Sequence, residues 1–322
     1  MTRCGGVGSV KSLIENQKAY LLGCQLSSGA FRLAPRRVQI NPYFTNLALI
    51  SLVRLGEGEA VRKYVDWYLD HVNERGYIND YRLDGEREVD TGNADSEDSY
   101  HATLFSLLVE WLRLTGDTDW LRQRRDELAK MLQAVGRLQQ KDGLTWAKHS
   151  YRVKYLMDNC EVAVGLEDAA TLFAAIGDDA LAQEAQYRAE ACRRGIAAMY
   201  SPARAAYAMY DRKYPGWRKW YPDVTSQAFP IVYGLAPPDA ASGLYERITA
   251  AFPHYDIFQT GDLYPWMIMG ECARRVGDVR RVERMLQTAA ELYIRGPRHP
   301  YWLIHESGRF IELMQAAGAS AA

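Results

Sequence analysis

The chain has 322 residues, 48% of them hydrophobic and 25% charged, with a formal net charge of −1. That balance fits a soluble globular protein and supplies no global field for a nucleic acid or an acidic membrane surface. The apolar runs are short and broken by charges, which excludes a membrane-spanning helix.

In chain order, apolar residues recur at three- and four-residue spacing and predict helices over 9–24, 43–55, 59–75, 98–115, 119–140, 160–176, 179–200, 224–235, 238–252, 262–276, 279–295 and 305–316. The turns "RLGEGEA", "RLTGDTDW", "AAIGDDAL", "YGLAPPDAA" and "RRVGDVRR" place Gly or Pro at one helix end, usually with an acid opening the next helix. A C-terminal glycine followed by an acid that complements the helix dipole explains them. Each turn joins a more apolar helix to a more amphipathic one, "TLFSLLVEWL" to "WLRQRRDELAKMLQAV" for example. The first suits an inner ring and the second an outer ring. Longer connections rich in aromatic residues separate the pairs. Twelve helices in this alternation predict an all-α fold, an (α/α)6 toroid of six inner and six outer helices. The expectation is one domain over 1–322, with a frayed tail at 317–322.

The opening "MTRCGGVGSVKSLIENQK" lacks the continuous apolar core of a secretory signal, so the chain as given is expected to be cytoplasmic. Cys4, Cys24, Cys160, Cys192 and Cys272 are scattered without a CxxC pair, as reduced, buried thiols are.

The long connections arrive at the N-termini of the inner helices, on one rim. They read "QINPYFTN", "NADSEDSY", "YLMDNCEV", "KWYPDVTSQ", "QTGDLYPW" and "YWLIHESG". Aromatic faces stack on pyranose rings, and amides and carboxylates bind hydroxyls, so an aromatic, acidic rim suits a carbohydrate. Each acid also has a capping role open to it. Asp95 or Ser96 can cap the helix that follows, Asp223 and Asp262 stand where N-caps belong, and Asp158 can form a capping box with Glu161. One cap does not require Asp95, Glu97 and Asp98 together, and like charges so close raise one another's pKa. His101 fits a packed, hydrogen-bonded residue. His305 and Glu306 open the last inner helix, without the spacing of a metal site. No phosphate-binding loop, dinucleotide fingerprint or nucleophile elbow is present, so no cofactor is expected.

The stretches "INPYFTNLALISL", "ADSEDSYHATLFSLL", "GLTWAKHSYRVKYLMDNCEVAVGL" and "WYPDVTSQAFPI" resemble a bacterial group within the six-hairpin glycosidase superfamily. The likeness runs from about Gln39 to Trp266, and the DSxDSY and DNxE patterns at Asp95–Tyr100 and Asp158–Glu161 are its most specific parts. The resemblance implies an (α/α)6 barrel whose carboxylates act on a glycosidic bond, mostly with inversion. The expected acid and base are Asp98 and Asp158, with Glu161 in reserve and Glu97 tuning or binding. Tyr43, Tyr100, Trp220, Tyr221, Tyr264, Trp266 and Trp302 would be sugar platforms, and Asn46, Asn159 and Gln227 would read hydroxyls. Asp95, Asp223, Asp262, His305 and Glu306 complete the expected binding set. A carboxylate gap of roughly 6.5–9.5 Å would imply inversion, and one near 5–5.5 Å retention. Two alternatives remain open: a saccharide-binding toroid that has lost catalysis, and a polysaccharide lyase using His305 with the basic loop from Arg212 to Lys219. The sequence says nothing about oligomeric state.

Overall fold

A computed structural model describes residues 10–320, so Cys4, Ser9 and the last two alanines lie outside the described residues. The chain folds as an all-α toroid. In chain order, α1 (Val10–Leu22) is outer, α2 (Pro42–Arg54) inner, α3 (Gly58–Asp70) outer and α4 (Asp98–Thr115) inner. Two short helices, α5 (Thr118–Gln123) and α6 (Arg125–Leu138), form the next outer segment, followed by inner α7 (Leu156–Ala175) and outer α8 (Asp179–Met199). Then come inner α9 (Thr225–Val232), outer α10 (Pro238–Ala251), inner α11 (Ile268–Arg275), outer α12 (Val279–Ala289) and inner α13 (Ile304–Ser320). Each inner helix packs on the next, and α13 returns to pack on α2, closing the ring.

Local chemistry sets this alternation. Gly116 ends α4 in the left-handed region (φ 66°), and the Asp117 carboxylate then accepts from Trp120 N at 2.9 Å to cap α5. Asp178 and Asp278 repeat the device, accepting from Leu181 N at 3.1 Å and Arg281 N at 3.2 Å. Inner helices can approach closely where side chains are small. A Cβ on Gly165 of α7 would fall 2.3 Å from Ala102 O of α4, and one on Gly308 of α13 would fall 2.8 Å from Ala48 Cα of α2. The sixth hairpin joins the two ends of the described chain, α13 to α1. Trp302 Nε1 and Ser307 Oγ both donate to Gln17 Oε1, at 2.8 and 2.9 Å, and Tyr20 OH donates to Trp302 O at 2.6 Å.

The long connections all enter the opposite rim from the short turns. Two of them carry β1 (Gln39–Ile40), β2 (Tyr81–Asp84) and β3 (Arg87–Asp90), a small antiparallel sheet in that order with Gln39 opposite Arg82 and Tyr81 opposite Asp90. A second small pair joins β4 (Tyr200–Ser201) to β5 (Ala206–Tyr207).

Several helix boundaries differ from the periodicity, each for a local reason. The helix predicted over 59–75 stops at Asp70, because the Asn73 side chain turns the chain by accepting from Arg75 N and Tyr77 N. The one predicted over 119–140 breaks at Arg124. The one predicted from 262 begins at Ile268: Asp262 instead holds a turn, accepting from Tyr264 N, and Pro265 follows. The segment predicted to fray is helical through Ser320. Cys24, Cys160, Cys192 and Cys272 are buried free thiols.

Candidate active site

Helices α4 and α7 bring their N-termini together on the rim of long connections. Glu97 stands at the N-cap of α4 without a side-chain capping bond, Ser96 Oγ accepts from Ser99 N at 3.4 Å, and Asp95 is exposed and caps nothing. Asp98 was expected to face the cleft and does not. It is 0% exposed with both oxygens occupied: Ser96 Oγ and Ser99 N donate to Oδ1 at 2.5 and 2.8 Å, and Thr145 Oγ1 donates to Oδ2 at 2.5 Å. As the first residue of α4, it turns back onto the free N–H groups of its own helix start. Burial raises its carboxyl to about 6 against the pull of these three hydrogen bonds.

Asp158 is the carboxylate that reaches the rim. Helix α7 begins at Leu156, four residues earlier than the periodicity suggested, so Asp158 lies inside the first turn. The expected capping box with Glu161 is therefore absent, and Tyr155 at the N-cap makes no side-chain capping bond. Half-buried, Asp158 places Oδ2 3.4 Å from Ser96 Oγ. Burial pushes its carboxyl well above the ordinary value, and the charges of Asp98, Glu161 and Asp95 push it further. Ser96 Oγ, which donates to Asp98, thus stands between the two carboxyls. One turn on, buried Glu161 accepts from Tyr43 OH at 2.7 Å and Tyr233 OH at 3.1 Å. Burial lifts Glu161 to about 8, with these two phenols and the charge of Arg309 opposing.

Exposed and half-buried aromatic residues lie on the same rim as Asp158. Tyr221, 52% exposed, stacks on Trp266 with centroids 5.3 Å apart, and Trp266 Nε1 donates to Asp262 Oδ2 at 2.8 Å. Tyr155 and Tyr151 share a hydrogen bond between hydroxyls at 3.0 Å. Tyr155 stands at the N-cap of α7, three positions before Asp158. Tyr264 is exposed and meets Tyr301 edge-on.

Other expected contact residues are committed elsewhere. Trp302 is 0% exposed and bonded to Gln17 in the core, so it offers no face to a sugar. Trp220 packs against Phe252 and Tyr255. Asn46 spends its amide on Tyr100 O and Thr103 Oγ1 while accepting from Tyr64 OH, and Gln227 braces the backbone of Tyr207. Asn159 holds Thr145, accepting from its N at 2.8 Å, and so orients the hydroxyl that fixes Asp98. Asp223 accepts from Gly216 N, and Glu97 accepts from His149 N and contacts its ring. Glu306 accepts from Met267 N at 2.7 Å, steadying the entry to α11. His305 stacks on Phe44 with centroids 4.1 Å apart and sits 3.3 Å from Glu306. His101 is buried between Tyr68 OH and Gly76 O. Among the described residues, no three His, Cys, Asp or Glu side chains are grouped to hold a metal.

The sequence reading passed over Tyr151, Tyr155, Thr145 and Asp80. Asp80 lies in a hairpin connection away from any helix start. Its Oδ1 accepts from Asn41 Nδ2 and Tyr100 OH, each at 2.9 Å, and burial raises it to about 6. Tyr100, expected as a platform, is thus a buried strut between Asp80 and the stacked ring of Tyr43.

No protein-family model matches the sequence, and no curated protein matches it either. Solved structures do share the fold. A wild-type glycosidase superposes with a TM-score of 0.73 at 14% identity, covering 97% of this chain and 99% of its own. A variant glycosidase in complex with glucose matches at 0.72, also at 14% identity, covering 97% of this chain and 99% of its own. A rhamnosidase from Klebsiella oxytoca with rhamnose bound matches at 0.70 and 13% identity, over 97% of this chain and 65% of its own. The toroid is therefore a fold this chain has in common with glycosidases.

Proposed function

We propose that the protein is a glycoside hydrolase acting on an oligo- or polysaccharide, with Asp158 as proton donor and Asp95 as the carboxylate that activates water. The observation that carries this reading is Asp158 itself. It is a half-buried carboxyl whose pKa burial and three neighbouring acids push well up, on the rim that carries the stacked Tyr221 and Trp266. A general acid needs that environment, because it must keep its proton near neutral pH and still release it to a leaving oxygen. Asp95 is exposed on the same rim, and its carboxylate makes no hydrogen bond to the described residues, which leaves it available to a water. The fold shared with a glucose-bound glycosidase and a rhamnose-bound rhamnosidase points the same way. Inversion at the anomeric centre follows from the family resemblance.

The test is an oligosaccharide panel read by reducing-end release, with proton NMR of the first-formed anomer. Asp158→Asn and Asp95→Asn should each lower kcat/KM by about 10²- to 10⁴-fold with the helical signal unchanged. Full activity in Asp158→Asn would sink the assignment.

The burial of Asp98 favours one second reading, since it leaves fewer carboxylates on the rim than the family pattern implies. A toroid that binds saccharide without turning it over would show binding in both variants and release in none. A lyase finds less support, because His305 packs on Phe44 and sits beside Glu306.

A further inference from the structure

A cavity of about 490 Å³ occupies the bore of the ring on the side of the short turns, and all six inner helices line it. Part of its wall is apolar, through Leu47, Ile50, Val164 and Val232. Most of its charged residues are paired with one another. Arg54 meets Glu110 at 3.3 Å and Glu312 at 3.6 Å, and Glu110 also meets Arg113 at 2.8 Å. Glu271 pairs with Arg274 at 2.6 Å and Arg275 at 3.0 Å, both exposed. Two half-buried charges are left over. Arg309 of α13 forms no ion pair with a described carboxylate. Glu312, three positions on, is engaged by Arg54; Glu161, behind Tyr233, accepts from two phenols, and burial lifts its carboxyl to about 8. Asp168 of α7 forms no ion pair with a described cation. Ser106 Oγ donates to its Oδ2 at 2.6 Å, and its Oδ1 makes no hydrogen bond to the described residues. Around the ring α13 contacts α2 and α11, while α7 contacts α4 and α9, so the two spare charges stand on opposite walls.

We infer that this cavity is a binding site for a small zwitterion, whose carboxylate meets Arg309 and whose ammonium meets Asp168 across an apolar middle. A charge withdrawn from water without a partner is costly, and one ligand of this class supplies both missing partners at once. The guanidinium fork suits a carboxylate, Asp168 has an oxygen free to accept from an ammonium, and the aliphatic wall suits a short methylene chain. A volume near 490 Å³ is ample for a compact molecule. A simple anion would satisfy Arg309 and add a second negative charge beside Asp168 and Glu312; a simple cation would leave Arg309 as it is. The site stands apart from the hydrolase reading, since it faces the other rim and its test uses no saccharide.

The experiment is methyl NMR of the full chain, following Ile50 and Val232 during titration with γ-aminobutyrate and ε-aminocaproate. Butyrate, caproate, butylamine and hexylamine are the matching probes with a single charge. At least one zwitterion should shift both methyl signals and bind about tenfold more tightly than either matching probe, the gain of one charge-assisted hydrogen bond. Arg309→Gln should bring the zwitterion down to the affinity of the amine, and Asp168→Asn to that of the carboxylate. The comparison of ligands on wild type needs no variant, so it stands even where a substitution fails to fold. A carboxylate or an amine binding as tightly as its zwitterion, affinities unchanged in both folded variants, or methyl signals silent to both zwitterions would each overturn the inference.

Discussion

Asp98 and Glu161 act through charge without reaching the rim, and each sets a pH dependence. Asp98 is one of the charges that push the Asp158 carboxyl up, second to burial. Asp98→Asn removes that charge, so Asp158 should lose its proton more readily. The alkaline limb of kcat/KM should then move down by about one pH unit. A profile that stays in place would mean that Asp98 serves packing alone. Glu161 bears on stability. Its folded value of about 8 lies above the ordinary 4.5, so the folded chain binds the extra proton. The contribution is whole below about 4.5 and is lost as pH rises through 8. Thermal unfolding followed by circular dichroism should show Glu161→Gln losing less Tm than wild type between pH 5 and 9; parallel curves would exclude the effect. The identities of these acids were legible in the cluster at 95–98 and in "DNCE", but their roles were not. Which carboxylate faces water depends on Thr145 and Ser96, whose hydroxyls are ordinary residues until the fold brings them to Asp98.

At the scale of elements, the repeated Gly-Asp turn was readable because capping is local chemistry. The boundary of α4 at Asp98 falls where the pattern put it. What escaped the sequence was decided by competition within a few residues. Asn73 and Asp262 form side-chain turns that end or delay a helix, and the start of α7 at Leu156 has no capping side chain to announce it. The β2–β3 hairpin and Asp80 lie away from any helix start, where helical periodicity carries no signal. Contacts between elements give a sharper test. Gly165→Ala would drive a methyl into the backbone of Ala102, where neither helix has a side chain to yield. The cost should be about 1–3 kcal/mol, read as a lower denaturant midpoint. An unchanged midpoint would show that α4 and α7 can separate freely.

For the molecule as a whole, closure is non-covalent and depends on polar groups in an apolar seam. Gln17 of α1 accepts from both Trp302 and Ser307, so Gln17→Leu strands two buried donors at once. A loss of about 2–4 kcal/mol follows, and urea unfolding measures it; a stability within experimental error of wild type would place closure elsewhere. The alternation of short and long connections made the toroid legible. Ring closure through Gln17 was invisible, because the two residues that bond it lie 285 and 290 positions away.

The cross-brace of Tyr43, Glu161 and Tyr233 has a consequence for traffic. It ties α2 and α7 to Tyr233 at the end of α9 across the bore. Behind it lies a cavity of about 490 Å³, reached from the rim of short turns and lined by charged residues near the far ends of the inner helices, Arg54, Glu271 and Glu312 among them. The ring thus has a bore with a floor. On the hydrolase reading, a polymer would meet this brace as a floor and reach the aromatic rim by an end or by lying across it.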